Sequence, residues 1–161
     1  MLTETVRTLK HVGSAILNLP EFNVVVFALL LNFPWEILQG PLYAGMTTAP
    51  HWHASLVCAR ATLGDAALTT AAYWVVALVS GGRNWIASPT RSQAIAFVAV
   101  TVAIYVAMEK LAIATGRWAY GAAMAIVPLI DVGLSPVAQA AILAPLTIWF
   151  VRRQMYRSGG A

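Results

Sequence analysis

The chain has 161 residues, of which 60% are hydrophobic and only 10% are charged, and its formal net charge is +4. A water-soluble domain averages about 45–50% apolar and about 25% charged residues, so the composition excludes an ordinary soluble globular domain. The basic excess does not indicate a nucleic-acid partner, because the basic residues lie at the ends of apolar runs and form no patch with exposed aromatic residues.

The first segment, before Pro20, places apolar residues at helical spacing opposite Arg7 and Lys10. This pattern is typical of an amphipathic helix that lies in the membrane interface, although a frayed terminus is the alternative. A cleaved secretory signal is not expected, because Pro20 interrupts the apolar core that such a signal needs. The sequence therefore predicts a retained, N-terminal interfacial helix.

Four apolar stretches are long enough to cross a membrane, since about 30 Å of hydrocarbon takes roughly 20 residues of helix. Breaks rich in glycine and proline separate the first three stretches. We therefore predict an all-α fold in which residues 1–161 form a single polytopic membrane domain, a bundle of four transmembrane helices. The predicted spans are residues 22–43, 57–80, 94–115 and 132–151.

Residues 116–131 are apolar enough to suggest a fifth span, and the basic residues decide against it. Four spans with both termini cytoplasmic place seven basic residues inside and three outside, whereas five spans place four inside and six outside. We expect a bacterial inner-membrane location, with residues 116–131 as an outer-face loop, a short interfacial helix or a re-entrant segment. The seven inside residues are Arg7, Lys10, Arg83, Arg91, Arg152, Arg153 and Arg157, and the three outside are Arg60, Lys110 and Arg117.

Three acidic residues, Glu36, Asp65 and Glu109, fall within predicted spans. At a rise of 1.5 Å per residue, each lies roughly 10 Å below the outer surface. A carboxylate that faces lipid costs about 2.5–3.5 kcal/mol on insertion scales, so we expect all three to face the bundle interior. Carboxyl groups at close quarters in a poor dielectric are the arrangement that acid–base chemistry or a proton relay requires.

Further polar residues continue one face of each span, which predicts a polar pocket beneath the outer surface. The alternative is structural, because polar residues in membrane bundles also serve as interhelical hydrogen-bonding glue. The predicted pocket residues are Asn32, Gln39 and Tyr43 on the first span, Thr69 on the second, Tyr105 on the third, Asp131 and Gln139 on the fourth, and Trp118 and Tyr120 at the entrance.

No metal or other cofactor is predicted. His51 and His53 form an HxH pair in a predicted loop, but a structural zinc needs four ligands, and the nearby candidates are Cys58 and the buried acids. Whether this pair binds a metal stays open. Tryptophans near the predicted span ends are interpreted as aromatic belts at the membrane interface. They are Trp35, Trp52, Trp85, Trp118 and Trp149.

The layout of the four spans resembles that of a known group. It consists of Trp35-Glu36 in the first span, a polar opening of the second at residues 58–65, Tyr105 and Glu109 in the third, and Pro145 in the last. It is similar to the EXPERA group of four-helix membrane proteins, which includes the sterol Δ8–Δ7 isomerases and the sigma-2 receptor. The resemblance implies a buried acidic pocket for a sterol-like ligand, with Glu36 and Glu109 as counterparts of the acids. The spans lack a histidine, which departs from the isomerases. A second likeness is to membrane carotenoid hydratases and cyclases.

The leading hypothesis is an acid–base isomerase, hydratase or cyclase, or a binding protein, for an isoprenoid-like lipophilic small molecule. Glu36, Asp65 and Glu109 would then be the proton donor and acceptor candidates. The alternative is a non-catalytic accessory or assembly subunit of a larger membrane complex. Proton or ion conduction ranks third, because the polar stripes are confined to the outer half. The expected partners are membrane lipids and the small molecule, while the sequence leaves open a homo-oligomer.

Overall fold

The computed structural model describes residues 18–158, with side chains as far as Tyr156. The predicted N-terminal interfacial helix lies outside the described residues. Four long helices account for most of the described chain, and they are joined by two 3-10 turns and one short hairpin. The helices are α1 (Pro20–Gln39), α2 (His51–Val79), α3 (Arg91–Ala114) and α4 (Leu134–Ser158); the 3-10 turns are Gly40–Leu42 and Arg83–Ala87; the strands are β1 (Ile126–Val127) and β2 (Val132–Gly133).

Local sequence explains several of the helix ends. Pro20 occupies the start of α1, where its missing N–H is no loss. Thr90 and Gln93 form a reciprocal capping box at the start of α3, which satisfies two backbone N–H groups. Gly81 and Gly116 follow α2 and α3 with φ angles of 71° and 67°, a left-handed conformation that ends a helix and favours glycine.

All four helices are long and apolar enough to cross a membrane, as the sequence predicts. They differ from the predicted spans mainly at two ends: α2 begins at His51 rather than near residue 57, and α4 continues to Ser158 rather than ending at residue 151. The prediction placed the His51-Trp52-His53 triplet in a loop, and this was wrong. The last helix-breaking residue is Pro50, and residues 51–57 contain neither glycine nor proline.

The four helices form a bundle in which each helix packs against two neighbours: α1 against α2 and α4, and α3 against the same two. The chain runs up and down, so that α1 ends, α2 begins, α3 ends and α4 begins at one end. We call this the acid end, because it holds Glu36, Asp65 and Glu109. The apolar core fills the opposite, far end.

Trp85 belongs to that apolar core and is not an exposed anchor at a span end, contrary to the prediction. Its side chain is only 7% exposed, and its ring lies between those of Tyr73 and Phe97, at centroid distances of 5.9 and 5.6 Å. The Trp85 indole N–H donates to the backbone oxygen of Tyr73. The 3-10 turn therefore folds back over the far end of the bundle and closes its core.

A polar contact secures the same turn. The Tyr73 hydroxyl donates to the backbone oxygen of Arg83 at 2.6 Å, and Arg83 forms an ion pair with Glu21 at 3.2 Å. We expect Tyr73→Phe to lower the free energy of unfolding by about 1 kcal/mol, because the substitution leaves the Arg83 carbonyl without this donor. Thermal unfolding in detergent measures the change, and Tyr156→Phe is the control because Tyr156 is 87% exposed. Equal melting temperatures for wild type and Tyr73→Phe would contradict the expectation.

Residues 116–131 form a loop that contains no helix and leads into the β1–β2 hairpin. This rules out the short interfacial helix among the predicted alternatives. Asp131 lies in the hairpin turn with a φ of 50°, a conformation that Asp tolerates better than most residues. It is exposed, and α4 begins only at Leu134. The structure therefore does not place Asp131 on the polar stripe of the fourth helix, where the sequence predicted it.

Candidate functional site

One face of α1 carries the polar residues of the acid end. Asn32, Glu36 and Gln39 are spaced by four and three residues, which aligns them on a single helical face. They are 2%, 8% and 5% exposed, whereas Leu30 and Leu38, elsewhere on the helix, are 63% and 78% exposed. The helix therefore directs its amides and carboxyl group into the bundle and its leucines outward.

Gln139 of α4 joins the polar residues of three helices. Its amide nitrogen lies 2.9 Å from Asn32 Oδ1, 3.0 Å from Glu36 Oε1 and 3.0 Å from Asp65 Oδ2. Its amide oxygen accepts a hydrogen bond of 2.9 Å from Gln39. An amide nitrogen has only two hydrogens, so three acceptors compete for them. Gln139 is 1% exposed, and no solvent contact relieves this competition.

The Glu36 and Asp65 carboxyl groups are close neighbours, because Glu36 Oε1 and Asp65 Oδ2 both lie 3.0 Å from the Gln139 amide nitrogen. A hydrogen bond between two carboxyl groups requires a proton on one of them. Glu36 also accepts from Gln39, and Gln39 accepts in turn from the Ser135 hydroxyl at 2.8 Å. The pair is therefore embedded in a buried network to which α1, α2 and α4 contribute.

α3 reaches this network through Tyr105, whose hydroxyl lies 3.4 Å from Asn32 Oδ1 and near Thr69. Two further buried polar residues do not join it. The hydroxyl groups of Thr62 and Thr101 donate to backbone oxygens four residues earlier in their own helices. Such bonds satisfy a threonine locally, so these two residues do not link helices.

Glu109 lies at a second node, where aromatic side chains supply the donors. The Tyr43 hydroxyl donates to Glu109 Oε1 at 2.9 Å, and the Trp118 indole N–H donates to the same oxygen at 3.3 Å. The Tyr120 phenol lies near the same carboxyl group and accepts a hydrogen bond from the Gly133 N–H at 2.9 Å. Glu109 is 6% exposed, so these rings cover its carboxyl group almost completely.

Backbone pairing holds two loops over this node. Tyr43 and Tyr120 form an isolated antiparallel bridge. Two flanking hydrogen bonds extend it, from Ala44 N to the oxygen of Ala119 at 2.9 Å and from Gly121 N to the oxygen of Leu42 at 2.8 Å. That Trp118 and Tyr120 line an entrance stays a prediction, and the sequence did not indicate that Trp118 donates to Glu109.

Burial raises the pKa of the Tyr120 phenol from 10.0 to about 12, and burial also raises that of Tyr43. A phenol whose pKa is higher in the folded protein stabilises the fold fully below pH 10 and loses this contribution as the pH rises towards 12. We therefore expect the free energy of unfolding to fall less steeply across this interval in Tyr120→Phe than in wild type. Denaturant titrations at several pH values compare the two slopes, and parallel slopes would contradict the assignment.

The basic residues near the acid end do not neutralise the acids. Arg60 and Lys110 are exposed, and the Arg117 guanidinium lies over the Trp118 ring at 5.6 Å from its centroid. Among the described residues, no lysine, arginine or histidine forms an ion pair with Glu36, Asp65 or Glu109. The structural alternative of acids paired one by one with basic residues is therefore absent from this part of the chain.

The structure thus brings together most of the predicted pocket residues and leaves out Asp131. Sequence reasoning missed Trp35, whose buried indole N–H has no hydrogen-bond partner among the described residues. Its position near a predicted span end indicates only an interfacial anchor, and no feature of the sequence distinguishes a buried tryptophan from such an anchor. His51 and His53 are exposed, and residues 18–158 contain no group of three or more potential metal ligands.

A shallow apolar groove of about 390 Å³ lies on the exterior of the bundle, between α1 and α2. Thr62 lies in this groove one helical turn before Asp65, and Phe33 lies one turn before Glu36. Neither Glu36 nor Asp65 lines the groove. Its lining residues are Leu29, Leu30, Phe33, Ala59, Thr62 and Leu63.

No family model, curated protein or solved structure matches this chain. The resemblance to the EXPERA group therefore stays a prediction. The function is inferred from the chemistry of the buried network and of the Glu109 node.

Proposed function

We propose that this chain is an integral protein of the bacterial inner membrane, with four transmembrane helices and both termini in the cytoplasm. The four long apolar helices and the distribution of basic residues support this topology. Exposed leucines such as Leu30, Leu38 and Leu78 would contact acyl chains. The acid end then lies in the outer half of the membrane.

We further propose that the acid end performs acid–base chemistry on an isoprenoid-like lipophilic small molecule. The carrying observation is that Glu36 and Glu109 are buried and Asp65 is half-buried at the same end of the bundle, and that none of them has a basic partner among the described residues. Ionisable residues within membrane helices are expensive and commonly mark functional sites. Amides and hydroxyl groups alone would serve as interhelical glue.

The chemistry requires two proton transfers. A carboxyl O–H gives its proton to one carbon of a C=C bond; the π electrons form the new C–H bond, and the other carbon becomes cationic. A carboxylate then removes a proton from a neighbouring carbon, and the electrons of that C–H bond form a double bond at the new position. The sum is an isomerisation without oxidant or reductant. Attack on the cation by water, or by a second double bond, would give a hydratase or a cyclase.

Deuterium incorporation tests this proposal before the substrate is known. The purified protein is reconstituted in liposomes that contain sterols, carotenes and polyprenols, in D₂O, and the lipids are analysed by mass spectrometry. We expect deuterium at carbon in one lipid class with wild type, and none with a Glu36→Gln, Glu109→Gln double variant. The absence of incorporation with wild type in every class would eliminate the enzymatic proposal for these substrates.

A second candidate is a non-catalytic accessory subunit of a larger membrane complex. This candidate is favoured by the hydrogen bonds within the network, because the protein itself already supplies partners for the buried polar groups. Gln39 and Gln139 bond to each other and to Glu36, and Ser135 donates to Gln39. Extraction in mild detergent followed by native mass spectrometry discriminates the two. Larger subunits without bound lipid would support the accessory role, whereas a bound isoprenoid would support the enzyme or a binding protein. Conduction gains no support, because the described core at the far end is apolar.

A further inference from the structure

We infer that two loops at the acid end form a single lid over Glu109, and that they open together as one unit. The first loop is residues 40–50, between α1 and α2, and the second is residues 116–131, between α3 and β2. We call the two loops together the lid. Coupled opening follows from the contacts of the lid, whereas a role as the gate for a lipophilic substrate rests on the proposed function.

In the structure the lid is closed over Glu109. The Tyr43 hydroxyl of the first loop and the Trp118 indole N–H of the second both donate to Glu109 Oε1, at 2.9 and 3.3 Å. Glu109 is only 6% exposed. Proton transfer requires the carboxyl group to come within hydrogen-bonding reach of the reacting atom. The rings that bind the carboxyl group therefore keep a substrate away from it until they move.

Backbone hydrogen bonds join the two loops to each other. Ala44 N donates to the oxygen of Ala119 at 2.9 Å, and Gly121 N donates to the oxygen of Leu42 at 2.8 Å. Moving one loop alone would break both bonds and leave their backbone groups to find new partners. Moving the two loops together keeps both bonds intact. The pairing therefore favours opening of the lid as a unit.

Few side chains fasten the second loop to the bundle. Within residues 116–131 only Met124 is buried, at 6% exposed, whereas Leu129 is 96% exposed. Met124 packs against the backbone of Gly133, because a Cβ built there would lie 2.8 Å from Met124 Sδ. The Gly133 N–H also donates to the Tyr120 hydroxyl at 2.9 Å. A segment with so little buried apolar surface opens more readily than a packed helix, so Met124 is the main fastening of the lid.

Cys58, the single cysteine of the chain, lies beneath the first loop and reports on its opening. It is 4% exposed. A Cβ built on Gly40 would lie 3.5 Å from Met46 Cε and 3.6 Å from Cys58 Sγ, so both loop residues lie against the thiol. A water-soluble thiol reagent should therefore reach Cys58 faster when this loop is displaced. Because Met124 belongs to the second loop, its substitution should affect the thiol only through coupled movement.

Labelling of Cys58 with a water-soluble maleimide, in lipid nanodiscs, tests the coupling. We expect Met124→Ala to accelerate labelling at least about tenfold, because the loss of a buried methionine side chain weakens the closed state. Leu129→Ala is the matched control in the same loop, and it should label at the wild-type rate. Hydrogen exchange gives a second readout: peptides that contain Ala44 and Gly121 should both exchange faster in Met124→Ala.

Two results would overturn the inference. If Met124→Ala accelerates exchange at Gly121 but leaves Ala44 exchange and Cys58 labelling unchanged, the two loops open independently. If it accelerates exchange equally within α3, at residues 97–105, Met124 stabilises the whole bundle and not the lid. Wild-type exchange at residues 97–105, together with faster labelling of Cys58, is the expected result.

A disulfide that fastens the second loop to α4 provides a reversible lock. Leu134 N donates to the oxygen of Ala125 at 2.7 Å, and both residues are exposed. Opposite residues of antiparallel strands are about 4.5–5.5 Å apart at Cα, a distance that a disulfide spans. Oxidised Ala125→Cys, Leu134→Cys should label Cys58 about tenfold more slowly than the wild type. A wild-type rate would contradict coupled opening.

The matched control joins the loops without fastening them to the bundle. Ala44→Cys, Ala119→Cys places a disulfide across the bridged loops, where both alanines are exposed. If the lid opens as one unit, this oxidised protein should label Cys58 at the wild-type rate. Marked slowing by this disulfide would show that opening separates the loops, and the inference would fail.

Deuterium incorporation into lipids then tests the role as a gate. The oxidised lock should lose incorporation, and its reduced form should recover it. If Cys58 labelling follows the expected pattern but no lipid takes up deuterium in either form, the enzymatic proposal fails and coupled opening of the lid stands. If the oxidised and reduced forms incorporate deuterium equally while Cys58 stays protected in the oxidised form, the enzyme proposal stands and the lid is not its gate.

Discussion

Gln139→Ala should lower the free energy of unfolding by about 2–3 kcal/mol, a larger effect than we expect at any surface position of α4. Gln139 lies within hydrogen-bonding distance of four side chains of α1 and α2 and can bond to at most three of them at once. Hydrogen bonds between membrane helices average about 0.6 kcal/mol each, and the vacated volume adds a packing loss. Reversible unfolding in mixed micelles, followed by tryptophan fluorescence, measures the change.

The matched control is Ile142→Ala, on the same helix but 47% exposed. It removes apolar side-chain volume without touching the network, so its effect should stay below about 1 kcal/mol. Gln139→Leu separates the lost hydrogen bonds from the lost volume, because leucine fills most of the same space. Equal stabilities for Gln139→Ala and Ile142→Ala would show that the buried network contributes little to the fold.

The sequence was sufficient to predict which faces of the helices are polar. Asn32, Glu36 and Gln39 recur at a spacing close to the 3.6-residue period, and only one helical face can bury all three. Counting residues along each span also predicts that the three acids lie near the same end of the bundle. These are local properties of a regular helix, which explains why they could be predicted without a tertiary structure.

The partners of each acid could not be predicted in the same way. Gln139 bonds to Glu36 and Asp65, whereas Glu109 bonds to Tyr43 and Trp118. These partners depend on how the helices are rotated about their axes and on how two loops pair. The bridge between Tyr43 and Tyr120 pairs a single residue from each of two loops. Such a contact leaves no periodic pattern in the sequence.

Two errors have related causes. Trp85 was assigned to an aromatic belt from its place near a span end, but the 3-10 turn carries it back into the core. Asp131 was assigned to a helical stripe, but the hairpin delays the start of α4 to Leu134. In both cases a short irregular element redirected a side chain that a continuous helix would have placed as predicted. The path of an irregular segment depends on long-range contacts, and helical periodicity carries no information about such contacts.

The largest expected effect on activity comes from Glu109→Gln and Glu36→Gln, tested separately. General acid–base catalysis contributes about 10²–10⁴-fold to a rate, so each variant should lose at least about 100-fold of the deuterium incorporation seen with wild type. Glutamine preserves the size of the side chain and its ability to accept a hydrogen bond from Tyr43 or Gln139. The fold should therefore survive, and retention of the helical circular dichroism signal and of a monodisperse gel-filtration peak checks this.

The two variants differ in what remains of the site. Glu109→Gln leaves the Glu36–Asp65 pair in place, so its loss of incorporation measures the contribution of Glu109 alone. Glu36→Gln leaves Asp65 and Glu109 in place and removes one carboxyl group of the pair. Ser92→Ala, at an exposed position near the start of α3 and far from both nodes, is the control and should retain wild-type incorporation. Full incorporation by both glutamine variants would exclude carboxyl catalysis at the acid end, and the buried acids would then be explained by hydrogen bonding between helices alone.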